Sequence, residues 1–315
     1  MLQSKKSPSI VVVGSSNTDM IIKMDRIPRP GETIIGGEFF TAAGGKGANQ
    51  AVGAARAGGN VTFIARVGKD SFGELAVAGF KQDGINVSYI FNDPTTPSGV
   101  ALIFVGKNGE NSIAVASGAN EKLSPQDVLN AREAFVGAGA MIAQLETPIE
   151  TIQAAAELAV EAGVRVILNP APARQLPDAL LRRVSILTPN ETEAEMLTGI
   201  KITGIESASK AAKALLERGP NTVILTMGSQ GAWVATPNME RFSPAFKVNA
   251  VDTTAAGDIF NGALAVALVE GISLLDAVRF ANAAAALSVT KQGAQPSAPT
   301  RREIEAMLSD NSDKK

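Results

Sequence analysis

The chain has 315 residues, of which 45% are hydrophobic and 19% charged, as in globular proteins and unlike disordered chains. Its formal net charge of −2 gives no field that would attract nucleic acid or an anionic membrane. The chain contains no Cys and no His, which excludes thiolate and imidazole catalysis. Proton chemistry must therefore come from Asp, Glu, Lys or Tyr, and any bound metal must be a hard cation with oxygen ligands.

Apolar runs in the chain are short. The run from Ile10 to Val13 is followed directly by Gly14, whereas a secretion signal needs about 7–15 apolar residues. The longer run at 262–269 continues into charged residues, so it does not predict a membrane span. We expect a soluble, cytoplasmic protein without membrane partners.

The first part of the chain mixes two kinds of pattern. Strands are predicted at 9–13, 61–67 and 87–91, with helices at 47–56 and 71–82. Other β-rich segments have no helix between them and fall into two groups, at about 18–41 and 97–117. We expect these two groups to pair into one small sheet.

After residue 120, strands and helices alternate. The pattern predicts strands at 140–144, 165–169, 185–187 and 222–226, and helices at 125–136, 149–162, 191–197, 208–218, 256–270 and 274–288. Such alternation predicts an α/β fold with a mostly parallel, doubly wound sheet that helices cover on both faces. Ligands of such sheets bind beyond the carboxyl ends of the strands. We expect one domain over residues 1–315.

The segment Asp252-Thr-Thr-Ala-Ala-Gly-Asp258 is a candidate phosphate site. Its small residues open a predicted helix, whose first N–H groups and positive dipole end attract anions. Asp258 would lie about one turn into that helix, where a carboxylate is useful if it takes a proton from an attacking hydroxyl. Alternatively, Asp252 is a helix cap and Asp258 a solvated acid of the first turn.

Two glycine-rich segments could approach a ligand closely. Ala43-Gly-Gly-Lys-Gly-Ala-Asn49 precedes a helix but does not match a Walker A loop. The loop from Thr226 to Gly231 follows a predicted strand and could cradle a nucleotide or form a hairpin turn. Each segment is a weak signal when it is taken alone.

Amide and carboxylate pairs supply two further candidates. Asn17 and Asp19 follow the first strand and suit a polyol, although the same residues could form an Asx-turn. Asn190 and Glu193 are consistent with either a helix cap or part of a magnesium shell.

The order of these segments resembles the ribokinase family of sugar kinases, also called the phosphofructokinase-B type, over roughly residues 9–308. Two motifs carry the resemblance: the segment 43–52 and the segment 252–258. The resemblance implies a ribokinase-like α/β fold with a small β-sheet lid, and transfer of the γ-phosphoryl group of ATP to the 5-hydroxyl of D-ribose. It also implies use of Mg²⁺ and K⁺, and a homodimer joined through the lid sheets.

The resemblance also implies residue roles. Asp258 would be the catalytic base, and the backbone of Ala255, Ala256 and Gly257 the anion hole. The implied sugar-binding positions are Asn17, Asp19, Gly45, Lys46, Gly47, Ala48, Asn49, Glu146 and Asp258. The implied nucleotide contacts are Asn190, Thr226, Met227, Gly228, Ser229, Gln230, Gly231, Gly257 and Asn282, with Glu193 near magnesium. The implied potassium positions are Asp252, Thr254, Ser288, Lys291, Gly293 and Ser297.

Two alternatives to a ribose kinase remain. The first is a kinase of the same family that acts on fructose, 2-keto-3-deoxygluconate or a nucleoside. The second is a non-catalytic sugar sensor on a kinase fold, since fold does not imply function. A nicotinamide dehydrogenase is less consistent with the sequence, because the segment after the first strand lacks the dinucleotide fingerprint.

Overall fold

The computed structural model describes residues 9–310. Its strands are β1 Ser9–Val13, β2 Asn17–Met24, β3 Glu38–Gly44, β4 Val61–Gly68, β5 Asn86–Asp93, β6 Gly99–Gly106, β7 Asn111–Ala116, β8 Ala138–Ala143, β9 Arg165–Leu168, β10 Ile186–Leu187, β11 Thr222–Thr226, β12 Gly231–Thr236 and β13 Met239–Pro244. Its α-helices are α1 Lys46–Arg56, α2 Ser71–Gln82, α3 Pro125–Asn130, α4 Ile149–Glu161, α5 Asp178–Leu181, α6 Glu191–Thr198, α7 Ile205–Glu217, α8 Ala256–Val269, α9 Leu274–Ser288 and α10 Arg301–Asp310.

Nine of these strands form the main sheet, in the order β13-β12-β11-β10-β9-β8-β1-β4-β5. Strands β4, β5 and β8 to β11 run parallel with β1, and β12 and β13 add an antiparallel edge. Strand β1 is buried on both faces: Ile10 and Val12 pack into the core with α1, α8 and α9, whereas Val11 and Val13 pack into the core with α3 and α4. The predicted α/β fold with a mostly parallel sheet is confirmed.

The remaining strands form a second sheet in the order β3-β2-β6-β7. Strand β2 is antiparallel to β3 and parallel to β6, and β6 is antiparallel to β7. The predicted small sheet is therefore present. Strand β3 begins at Glu38, because Gly36 and Gly37 have φ angles of 114° and 104°, which an extended strand does not accommodate.

Several features differ from the sequence prediction. The helix predicted at 125–136 ends at Asn130, because Ala131 N–H bonds both Asp127 and Val128 carbonyls and a 3₁₀ turn follows at Arg132–Phe135. That turn carries Phe135 into the core. Strand β13 and helices α5 and α10 were not predicted. Strand β13 lacks polar alternation, α5 has only 4 residues, and α10 buries only Ile304. No helix among residues 9–310 has the length and apolar character needed to cross a bilayer.

Candidate active site

Polar side chains meet where the central strands of the main sheet end. Glu146 follows β8, Asn169 follows β9 and Thr188 follows β10, and all three point toward the beginnings of α1 and α8. Carboxyl ends of neighbouring parallel strands lie at the same edge of a sheet, so these residues gather at one place. Helices α1 and α8 pack closely against each other. A Cβ atom on Gly262 would lie only 2.6 Å from the Ala54 nitrogen, so a side chain at this position would not fit.

Asp258 lies at the centre of this arrangement and is buried. Both of its carboxylate oxygens accept hydrogen bonds from α1: Oδ2 from Asn49 Nδ2 at 3.1 Å and Oδ1 from Gln50 Nε2 at 2.9 Å. Burial raises the pKa of Asp258, while the nearby Lys46 ammonium and the two amide donors act in the opposite direction. A raised pKa suits a base that must take a proton near neutral pH.

The beginning of α8 has free space beside Asp258. Ala255 has the only positive φ angle, 60°, among the non-glycine residues at 9–310, and it caps the helix. The first hydrogen bond inside the helix runs from the Ile259 N–H to the Ala255 carbonyl. The N–H groups of Gly257 and Asp258 come before it in the chain, so they have no acceptor within the helix. A Cβ atom on Gly257 would meet no atom within 4 Å. Ala256 N–H makes a 3.3 Å bond to the Thr253 carbonyl.

This space is a cavity of about 170 Å³. Residues Ala255 to Asp258 line one side of it, and Lys46, Asn190, Glu193 and Thr226 are among the residues that line the rest. The negative charge of Asp258, with smaller contributions from Glu146 and Glu193, raises the pKa of Lys46. The cavity therefore combines a lysine ammonium with unpaired helix N–H groups, which is an environment for a phosphate group.

Asp19 and Glu146 form a second polar region next to Asp258. Burial, followed by the charge of Glu146, raises the pKa of Asp19 to about 6. Glu146 Oε2 accepts from Ser15 Oγ at 2.6 Å and from the Lys46 N–H at 2.9 Å, which fixes its orientation. Asp19 fits closely against Gly44, where a Cβ atom would lie 2.4 Å from its carboxylate oxygens. Paired carboxylates of this kind accept hydrogen bonds from hydroxyl groups.

The other implied sugar positions differ in what they can offer. Asn17 Oδ1 accepts from Asn120 Nδ2 at 2.7 Å, so this residue is fixed at the base of the small sheet. Gly45 has a φ angle of 89°, and its missing side chain lets β2 pass close by. Gly47 and Ala48 donate their N–H groups to Ser15, and the Ala48 side chain is fully buried. These two residues therefore belong to the first turn of α1 and connect it to the segment after β1.

Asn190 and Glu193 were expected to form either a helix cap or part of a magnesium shell, and the structure shows the cap. Their side chains form a reciprocal capping box at the start of α6: Glu193 N–H donates to Asn190 Oδ1, and Asn190 N–H donates to Glu193 Oε2, both at 2.8 Å. Burial raises the pKa of Glu193. The helix cap is therefore present, and both residues also line the cavity beside Asp258.

The loop from Thr226 to Gly231 forms a hairpin turn between β11 and the antiparallel β12. Thr226 lines the cavity, and Met227 is buried in a small core with Ala194 and Ala208. Gly228, Ser229 and Gln230 form an exposed 3₁₀ turn next to Gly231. Asn282, on α9, donates to Ser243 and Pro244 of β13 and lies outside the lining of the cavity.

Two of the implied potassium positions, Thr254 and Gly293, contact the Asp252 carboxylate directly. Its Oδ1 accepts from the N–H and hydroxyl of Thr254 at 2.9 and 2.6 Å, and its Oδ2 accepts from the Gly293 N–H at 2.9 Å. These bonds outweigh burial and lower the pKa of Asp252. The Ser288 and Ser297 hydroxyls donate to backbone carbonyls, and the Lys291 ammonium binds Glu303 at 2.8 Å. The Asp252 carboxylate and backbone carbonyls are the oxygen ligands that a hard monovalent cation would need here, and Lys291 could offer only its carbonyl. The charge of Lys23 also acts on Asp252.

Sequence reasoning missed several polar residues around Asp258, of which all but the first also line the cavity: Gln50, Asn169, Thr188 and Asn261. All four are buried. Gln50 follows Asn49 in a helix of small residues, and Asn261 lies in the apolar helix α8. A large polar side chain within such a helix is the signal that could have found these two residues, because a buried amide needs partners. Asn169 and Thr188 follow strands and carry no such signal.

Comparisons with known proteins identify the family of the chain. The model of the pfkB family of carbohydrate kinases matches residues 7–301. A ribokinase from Haemophilus influenzae is 46% identical over 94% of this chain and 96% of its own length. A deoxyribokinase from Salmonella typhi is 40% identical over 96% of this chain and 99% of its own length.

A solved structure extends the likeness to three dimensions. The structure of an Arabidopsis thaliana ribokinase complexed with ribose and ATP superimposes with a TM-score of 0.90, at 36% identity, and covers 96% of this chain and 99% of that one. The fold, the full-length sequence match and the family model agree. The chain therefore belongs to the pfkB family of carbohydrate kinases.

Proposed function

We propose that the chain transfers the γ-phosphoryl group of ATP to the 5-hydroxyl of D-ribose. The observation that carries the proposal is the position of Asp258: a buried carboxylate, held at both oxygens, beside a small cavity at a helix N-terminus. The relatives named as ribokinases, and the solved ribokinase that holds ribose and ATP, support ribose as the acceptor.

In this proposal Asp258 is the general base. The 5-hydroxyl oxygen attacks the γ-phosphorus, its proton passes to Asp258, and the bond from the γ-phosphorus to the β,γ-bridging oxygen breaks as ADP leaves. The N–H groups of Ala255 and Gly257 and the Lys46 ammonium would stabilise the charge on the transferred group. The Ala256 N–H would join them by leaving the Thr253 carbonyl. Support for the role of Lys46 comes from its place in the lining of the same cavity.

The sugar would bind between the small sheet and the start of α1. Asp19 and Glu146 would accept hydrogen bonds from its hydroxyls, with Asn17 and Asn49 adding amide groups and Gly45 allowing close approach. The Asn49 Oδ1 atom is buried and has no hydrogen-bond partner in the structure, which is consistent with a missing hydroxyl donor. The small sheet would act as a lid that excludes water as a competing acceptor.

ATP would contact Asn190, Thr226 and Gly257, with the turn at 227–231 and Asn282 nearby. Magnesium usually keeps several waters and takes one or two carboxylates together with substrate phosphates. Glu193 would be such a carboxylate, because it lines the cavity beside Asp258. Magnesium would supply charge neutralisation on the phosphates. Potassium would bind through Asp252 and the neighbouring carbonyls, next to the start of α8.

We also propose a cytoplasmic homodimer joined through the small sheets. Four large apolar side chains of that sheet are 47–63% exposed, namely Phe39, Leu102, Ile113 and Val115. Exposed apolar side chains concentrated on one sheet are typical of an interface. Light scattering should give twice the chain mass of 32.5 kDa, and the single-chain mass would refute the dimer.

The proposed activity is tested by release of ADP from ATP in an assay with separate acceptors. The panel contains D-ribose, 2-deoxy-D-ribose, fructose, 2-keto-3-deoxygluconate and a nucleoside, with a sugar-free control for ATP hydrolysis. Phosphorus NMR of the product identifies the phosphorylated hydroxyl. Preference for deoxyribose would favour the activity named for the relative from Salmonella. Sugar binding without ADP release would favour a sensor.

A further inference from the structure

Buried polar groups next to Asp258 form a continuous chain of hydrogen bonds, and three of its members, Asn169, Thr188 and Asn261, also line the cavity. Gln50 Nε2 donates to Asp258 Oδ1 at 2.9 Å and to Asn169 Oδ1 at 3.0 Å. Asn169 Nδ2 then donates to the Thr188 carbonyl at 3.1 Å, and the Thr188 hydroxyl donates to Asn261 Oδ1 at 2.7 Å. Asn261 Nδ2 returns to the Gly257 carbonyl at 2.8 Å. The chain is therefore a ring that begins and ends at the start of α8.

The orientation of each amide in this ring follows from Asp258. An ionised carboxylate accepts hydrogen bonds and donates none, so Gln50 must turn its nitrogen toward Asp258. The same nitrogen then faces Asn169, which must present its oxygen. Gln50 Oε1 is left to accept from Gln144 Nε2, at 2.7 Å. The observed contacts fulfil each of these requirements.

We propose that Gln50 is a positioning residue, which fixes the carboxylate of Asp258 in its ionised form relative to the Gly257 backbone. Gln50 is fully buried and is absent from the lining of the cavity, so it acts through Asp258 and not on a ligand. It connects the two parts of the proposed chemistry, the base and the anion site, through the ends of β9 and β10. This inference rests on the proposed function for the identity of the base.

Other charged groups also act on Asp258. Lys46 on α1 favours its ionised form, whereas Glu146 after β8 and Glu193 on α6 oppose it. Gln50 is uncharged, so a variant that removes its amide leaves these charges in place. A change in the titration of Asp258 in that variant therefore reports the hydrogen bond.

The first test is direct titration of Asp258 by carbon-13 NMR of labelled aspartate carboxyls, with the signal identified by its loss in Asp258→Asn. In Gln50→Met the midpoint should move to higher pH by about one unit, because the ionised form loses a donor. Gln144→Met is the matched control: it removes a buried amide that contacts Gln50 and not Asp258, and its midpoint should stay unchanged. An unchanged midpoint in Gln50→Met, or an equal shift in the control, overturns the proposal.

The second test uses rate. In Gln50→Met, kcat should fall about tenfold or more, with little change in the KM for the sugar, and the acidic limb of kcat/KM should move to higher pH. A loss of rate with an unshifted limb would make Gln50 a purely structural residue. If Gln50→Met does not fold, the isosteric Gln50→Glu should raise the midpoint further, because two carboxyls then share the site. The titration needs no substrate, so a different acceptor sugar would refute the proposed substrate and leave this result standing.

Discussion

Gly257→Ala separates the fold of α8 from its use as an anion site. The added Cβ would meet no protein atom within 4 Å, and Gly257 has an ordinary φ angle, so the helix can accept the change. Alanine in place of glycine should stabilise a helix by up to about 1 kcal/mol. The same methyl group would lie at the edge of a cavity of only about 170 Å³, where the transferred phosphoryl group would bind. Displacement of that group by about 1 Å can cost roughly 10²-fold in rate.

The assay compares Gly257→Ala with Gly79→Ala, a change on α2 where an added Cβ also meets nothing within 4 Å. Urea unfolding should give both variants at least wild-type stability. The value of kcat/KM for ATP should fall by about 10²-fold in Gly257→Ala and stay at the wild-type level in Gly79→Ala. Wild-type kinetics in a folded Gly257→Ala protein would refute the anion site at the start of α8.

Three further changes test separate parts of the account. Asp258→Asn should lower kcat by about 10²–10⁴-fold with little change in melting temperature, whereas Asp25→Asn, at a side chain that is 94% exposed, should keep the wild-type rate. Asp252→Ala should weaken activation by potassium, because it removes a carboxylate that also holds Gly293; a potassium response equal to the wild type would contradict the cation site. Folding raises the pKa of Asp19 from 3.8 to about 6, so ionisation of this carboxyl lowers the free energy of unfolding. The loss is complete above about pH 6 and absent below about pH 4. In urea titrations, Asp19→Asn should therefore add up to about 3 kcal/mol to the free energy of unfolding at pH 8 and almost nothing at pH 4, and equal gains at both pH values would contradict this.

The sequence was most informative where periodicity and burial agree. Strand β1 is apolar at successive positions because helices cover the main sheet on both faces. Helix α2 was predicted with the bounds that the structure shows, from Ser71 to Gln82. The edge strand β13 contains Glu240 and Arg241, so local composition gave no β signal, and its pairing with β12 depends on tertiary contacts.

The candidate site divides in the same way. The short motifs at 43–49 and 252–258 were visible because small residues and acids stand at fixed spacing before helices. Gln50 and Asn169 were not visible, because their role depends on a hydrogen bond between a helix and a strand end that lie 119 residues apart in the chain. Thr226 to Gly231 left two alternatives open, and only the pairing of β11 with β12 distinguished the hairpin.

The measurement that tests the central claim most directly is ADP release from magnesium-ATP with D-ribose, run with wild-type protein and Asp258→Asn at equal concentration. The account predicts ribose-dependent ADP release well above every other acceptor in the wild type, with ribose 5-phosphate as product, and a loss of about 10²-fold or more in the variant. Ribose-independent ADP release, or equal rates in the two folded proteins, would contradict the account.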